Sequence, residues 1–350
     1  MRRFALFLAV CTAAILTVAP SASSLPSDAA TQNAAGPRIV AIGDVHGGLQ
    51  NFTAILKRAG LIDDQQRWAG GKTTFVQTGD LCDRGAGMKA VLDLMMALEE
   101  QAKSAGGRVH ALLGNHEVMN MVGETRDGSA EIFASFGGED ATREAFGPRG
   151  RYGKWLRSKG VIAEVDDTVF MHAGVDPTFS DESLNAINQR VRREIAEWDE
   201  GLKYLVDQKL VSASPRFLDA VEAARREQER LLSNANRNEP DVQRTAAQLS
   251  PLANVGSSAL FAPNGPLWFR GFATWPDDEG DAKIAAILKK FKANRFVTGH
   301  TPQADGRINE RFAGKLFLID TGMLGAPFFP KGQPSALEIT TGGAKPLYLN

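Results

Sequence analysis

Cysteine is almost missing from this chain: its 350 residues include two, Cys11 and Cys82. So few thiols exclude a disulfide framework and a soft, thiolate-rich metal site. A charge excess is missing too. Lys and Arg number 40 against 41 Asp and Glu, for a net charge of −1, and no basic run is interleaved with aromatics. That balance argues against nucleic acid as a partner. The longest N-terminal apolar run, Phe4 to Val18, covers 15 residues, short of the roughly 20 that a membrane span needs. Histidine is scarce as well, with five residues, so where each one falls carries information.

What the chain does have begins with "MRRFALFLAVCTAAILTVAPSASS". Two arginines, an apolar stretch and then small residues read as a secretory signal peptide over residues 1–23, cut somewhere after Ala19. The chain is therefore expected to be exported, periplasmic or secreted, with no stable membrane insertion after cleavage. A lipoprotein reading through Cys11 is weaker because bulky Val10 precedes it. Residues 24–37, rich in Ala, Ser and Pro, read as a flexible leader. With the signal removed, Cys82 is the one thiol left.

From Arg38 a pattern repeats: short apolar strand, Gly/Asp/Asn/His turn, helix. "RIVAI" enters "GDVHGG", "TTFVQT" enters "GDLCDRGAG", and "RVHALL" enters "GNHEVMN". This alternation predicts an α/β fold on parallel or mixed strands, with functional loops at the strands' carboxyl ends. "VIAEV" and "TVFMHAGV" read as strands about a turn at 166–167. "RFVTGHTP" and "KLFLIDTG" read as strands running into turns. "SALEITTGGAKPLYLN" reads as a closing hairpin. Between them, Ile187, Val191, Ile195, Trp198, Leu202 and Leu205 recur at steps of three and four, one buried face of a long helix. A second helix is expected over about 216–232.

Four of the five histidines follow an apolar run and sit beside glycine: His46 in "GDVHG", His116 in "GNHE", His172 in "MHAG" and His300 in "TGHT". His110, inside "RVHALL", reads as a strand residue. At the same kind of strand end lie Asp44, Asp80, Asp83 and Asn115. Carboxylates, imidazoles and one amide in this number suit two borderline-hard divalent ions such as Mn, Fe or Zn. Two such ions clamp the attacking and leaving oxygens of a displacement at phosphorus.

"GDVHG", "GDLCDRG" and "GNHE", their first glycines 36 and then 35 residues apart, resemble the calcineurin-like metallophosphoesterases. "DRG", "GNHE", "HAG" and "GHT" are similar to the phosphoprotein phosphatase branch, and "GPLWFRG" on an exported chain looks like its bacterial Shewanella-like members. The resemblance spans about residues 38–325. It implies two central mixed β-sheets flanked by helices over 38–350, with a helical insertion at about 181–260. It implies that Asp44, His46 and Asp80 hold a first metal. Asp80 would bridge to a second, completed by Asn115, His172 and His300. Pro302 stands where relatives outside this branch place a further histidine.

The resemblance further implies that His116 is a general acid oriented by Asp83, that Arg84 grips phosphate oxygens, and that a metal-activated hydroxide attacks phosphorus. Arg270 is a second candidate phosphate clamp, set against an ordinary salt bridge under an aromatic cluster. The implied substrate is a phosphorylated protein or peptide (phospho-Tyr or phospho-Ser/Thr), possible small phosphoesters being the alternative. A diadenosine-tetraphosphate-type hydrolase is the nearest rival, disfavoured by "CDRG". A cyclic-diester phosphoesterase is disfavoured by "GHTP", and a non-enzymatic binding protein by the full ligand set. Cys82 is read as a packing residue, with a redox-sensitive thiol as the alternative.

Overall fold

A computed structural model describes residues 37–349 except 180 and 234; the expected signal peptide and nearly all of the leader lie outside them. Ten strands form two five-stranded sheets. In the first, β1 (Ile39–Ile42), β2 (Thr74–Gln77) and β3 (Arg108–Ala111) run parallel. Antiparallel β9 (Ser335–Thr340) and β10 (Gly343–Tyr348) extend it from β1. In the second, β5 (Thr168–Met171), β6 (Arg295–Thr298) and β8 (Leu316–Leu318) are parallel. Antiparallel β4 (Ile162–Val165) and β7 (Asn309–Arg311) form its edges.

The strands read as unbroken apolar runs because both faces are covered. Ile39, Ala41, Val76, Phe170, Val297 and Phe317 turn inward and pack sheet against sheet. Their neighbours Val40, Ile42, Phe75, Val169, Met171, Phe296, Leu316 and Leu318 turn outward under helices. Shifting any central strand by one residue would exchange the two sets, so register is fixed by packing. On the outer faces lie α1 (Leu49–Arg58), α2 (Met88–Ser104) and, later in the chain, Asp277–Phe291.

Four short helices lie between β3 and β4: Asn115–Met121, which carries the "GNHE" residues, and then Ala130–Phe136, Glu139–Phe146 and Arg151–Arg157, where the sequence reading placed nothing regular. The insertion holds three helices rather than two: Leu184–Asp207, Phe217–Ser233 and Pro240–Ala253. Ser183 caps the first by accepting from Ala186 N–H at 3.1 Å, the expected use of a side-chain oxygen there. Its stripe splits in two. Ile187, Val191 and Ile195 join the main core, while Trp198 and Leu205 build a separate small core with the other two helices.

Candidate active site and metal centre

The loops after β1, β2, β3, β5, β6 and β8 converge at one edge of the sandwich, and they carry every predicted ligand. The turns there are tight. His46, Asp80, Asp83, Arg84 and His300 all have φ between 46° and 67°, a region costing roughly 1–3 kcal/mol per non-glycine residue. Backbone approach is equally close: a Cβ on Gly114 would stand 2.1 Å from Asp80 Oδ1, and one on Gly299 would stand 2.2 Å from Asp44 Oδ1. Only glycine fits either place.

Each ligand histidine is fixed by a carbonyl from another loop. His46 Nδ1–H donates to Cys82 O at 2.9 Å, and His172 Nδ1–H donates to Thr78 O at 3.0 Å. Both therefore present Nε2 to the site. His300 is turned the other way, its Nε2–H donating to Trp268 O at 3.3 Å and its Nδ1 facing inward. Burial drives His46 and His172 well below the ordinary imidazole range. Burial, then Arg270, lowers His300 to about 3. All three are neutral, as metal ligands must be.

The consequence is a set of lone pairs with no proton among them. His172 Nε2 lies 2.9 Å from Asn115 Oδ1, 3.1 Å from His300 Nδ1 and 3.4 Å from Asp80 Oδ1. Such acceptors are stable together around a cation. On the other side of Asp80, His46 Nε2 stands 3.6 Å from Asp80 Oδ2 and 3.9 Å from Asp44 Oδ2. Burial, outweighing His116, raises Asp80 to about 7, and burial together with Asp320 raises Asp44 well above the carboxylate range. With Asp80 between them, the two clusters suit two divalent ions.

His116 also falls within reach of the first cluster, its Nε2 3.8 Å from Asp80 Oδ2. Its state is different. Nδ1–H donates to Asp83 Oδ2 at 2.7 Å. Burial would lower its pKa, but Asp80 and Asp83 outweigh burial and raise it to about 9. A protonated imidazole is a donor, not a ligand. Asn120 Nδ2 donates to both Asp83 oxygens at 3.0 Å and so holds the pair in register. The Arg84 guanidinium lies between the two imidazoles, donating to His46 Nε2, with Nη2 3.4 Å from His116 Nε2. It also covers the Phe329 ring at 5.4 Å. Arg270 forms no salt bridge among the described residues; its Nη1 donates to His300 O and Thr301 Oγ1, both at 3.1 Å.

Four groups here went unread in the sequence. Glu117, fully buried, accepts from the N–H groups of Asp80, Leu81, Cys82 and Gly114 at 2.7–3.0 Å. Asn120 and Asp320 are the second and third, and Phe329, stacked on His46 at 6.2 Å, is the fourth. Cys82 is fully buried, and burial followed by the charges of Glu117 and Asp83 pushes its thiol well above the usual range. A reactive thiol needs the opposite.

Residues 37–304 match the calcineurin-like phosphoesterase family. The chain belongs to that family. It is similar to Shewanella-like protein phosphatase 1 of Plasmodium berghei, 28% identical over 301 residues, 85% of this chain and 69% of that one. It is also similar to Shewanella-like protein phosphatase 2 of Arabidopsis thaliana, 32% identical over 229 residues, 51% of this chain and 58% of that one. Among solved structures it resembles the cold-active protein tyrosine phosphatase of a psychrophilic Shewanella species. That likeness has a TM-score of 0.64 at 25% identity, covering 89% of this chain and 78% of that one. The chain is a metal-dependent phosphatase whose donors suit two divalent ions.

Proposed function

We propose that this phosphatase removes phosphate from proteins and that phosphotyrosine is its preferred residue. The observation that carries the phosphate release is the His116–Asp83 pair, a protonated imidazole held against the buried clusters; the similar Shewanella-like protein phosphatases support a protein substrate. Two bound divalent ions, of Mn, Fe or Zn, would activate water and polarise the phosphoryl group. The chain's own groups do the rest. Arg84 offers a planar fork for two phosphoryl oxygens, and Arg270, held on His300 O and Thr301 Oγ1, offers a second. His116 passes its Nε2 proton to the departing oxygen, a step typically worth 10²–10⁴-fold. Asp83 and Asn120 keep the ring in place throughout.

The preference for an aryl ester is supported by the loop after β8. It sets Phe329 against His46 and under Arg84, and it walls a cavity of about 300 Å³ lined by Pro302, Phe328, Phe329 and Lys331. A phenyl ring stacks well on such a surface. The similar Shewanella enzyme is itself a protein tyrosine phosphatase. The test compares rates on phosphotyrosine, phosphoserine and phosphothreonine peptides and diadenosine tetraphosphate, with Mn²⁺ supplied. The phosphotyrosine peptide is expected to be cleaved fastest; cleavage of the dinucleotide alone would refute the reading. Export rests on residues 1–23. Recovery of an uncut chain from the cytosol would count against it.

A further inference from the structure

The sequence "LFLIDTG" follows β8 much as "VAIGD" follows β1: an apolar strand runs into a turn that holds an aspartate and a glycine. Asp320 is 1% exposed. Its Oδ1 accepts from Gly322 N–H at 3.0 Å, while its Oδ2 is buried and receives no hydrogen bond. The backbone behind it is pressed onto the Asp44 turn, since a Cβ on Gly43 would lie 2.4 Å from Ile319 O and 3.1 Å from Asp320 N. Across that backbone contact lies the carboxyl of Asp44, close enough for the Asp320 charge to act on it.

Two neighbouring carboxylates have acceptors only, and inside a protein they repel unless a proton or a cation stands between them. The site's other acids have partners: Asp83 has His116 and Asn120, and Glu117 has four N–H groups. No ion pair or hydrogen bond links Asp320 to Arg84 or Arg270 among the described residues. Asp44 accepts from His300 N–H and Asp80 from His116 N–H, so the oxygen left without a donor is Asp320 Oδ2, beside a buried site suited to two divalent ions.

We propose that Asp320 is a further carboxylate of the first metal site, retaining that ion together with Asp44, His46 and Asp80. The role is one of positioning and charge. It rests on the two-metal reading of the site and not on which ester is cleaved.

The experiment is calorimetric titration of Mn²⁺ into the metal-free full-length protein and its Asp320→Asn variant, with melting curves in EDTA and in excess Mn²⁺. Asparagine keeps the size and the acceptor for Gly322 N–H, and its amide can donate to Asp44. Two ions are expected on the wild type. In D320N one site should weaken about 10- to 100-fold, the usual effect of removing a supporting group at a metal, while the other is unchanged. In EDTA the variant should melt no lower than wild type, because a repulsion has been relieved, yet it should gain less from Mn²⁺. Wild-type affinity at both sites would overturn the inference. So would a lower melting point in EDTA with both sites weakened alike, the mark of a structural role. Fewer than two ions on the wild type would instead overturn the two-metal reading beneath it.

Discussion

Replacing Glu117 with glutamine isolates what one buried carboxylate does for the metal loop. Glu117 Oε1 accepts from Leu81 and Cys82 N–H, and Oε2 accepts from Asp80 and Gly114 N–H. Glutamine has the same shape, so nothing is lost in packing. Its one oxygen serves one pair, and its NH₂ then meets the other two N–H groups donor to donor. Each buried N–H left without an acceptor costs about 1–3 kcal/mol. Some relaxation is expected, so the pair should cost about 3 kcal/mol together. For a folded unit of this size that is a drop of about 5 °C in melting temperature, measured calorimetrically in EDTA so that metal binding does not enter. Because Asp80, which belongs to both clusters, hangs from that carboxylate, Mn²⁺ affinity should fall at both sites. A variant that melts within about 1 °C of wild type would refute the reasoning, since stability changes that small belong to surface positions.

The other expectations are shorter. His116→Asn should leave Mn²⁺ stoichiometry unchanged and slow esters with poor leaving groups most; equal slowing of activated and poor leaving groups would sink the acid role. Asp83→Asn removes one of the carboxylates that raise His116, so the high-pH limb of the rate profile, where the acid loses its proton, should move to lower pH. Phe329→Ala should raise KM for a phosphotyrosine peptide severalfold and leave that for phosphoserine unchanged; a parallel change in both would mean that Phe329 only supports Arg84. Cys82 should resist a thiol reagent in the folded protein and react after denaturation, as followed by peptide mapping; rapid native labelling would restore the redox reading.

The strand-end residues that the structure brings together were legible because their signal is local. An apolar run that breaks at Asp, His or Asn beside glycine shows itself within ten residues, and Asp44, His46, Asp80, Asn115, His172 and His300 all carry it. Asp320 ends such a run in "LFLIDTG", but Thr321 separates it from Gly322 and no histidine stands beside it, so the signal there is weaker. Glu117 was quoted inside "GNHE", but its function is to reach a loop 35–37 residues away, which no spacing rule announces. The three helices after Asn115–Met121 and before β4 do not show in the sequence for a different reason: each is seven or eight residues long, too short to show a period.

The insertion shows most clearly what sequence alone conceals. Trp198 belongs to a helical stripe and packs as such a residue should, which was the whole of its sequence reading. In space its ring stacks on Phe217 at 5.5 Å, Phe217 on Phe261 at 5.3 Å, and Phe261 on Trp268 at 6.3 Å. Trp268 meets the ring of His300 edge-on at 6.1 Å, and its carbonyl takes the His300 Nε2 proton bond. That bond decides which nitrogen His300 presents to the site. The small core of the insertion is thus continuous with the orientation of a metal ligand. Trp198→Ala should therefore weaken the metal site that His300 serves as well as the fold, and about 3–5 kcal/mol is the usual cost to the fold of emptying so large a buried position. A destabilised variant that still binds two Mn²⁺ ions with wild-type affinity below its melting point would show that the ladder is packing and nothing more.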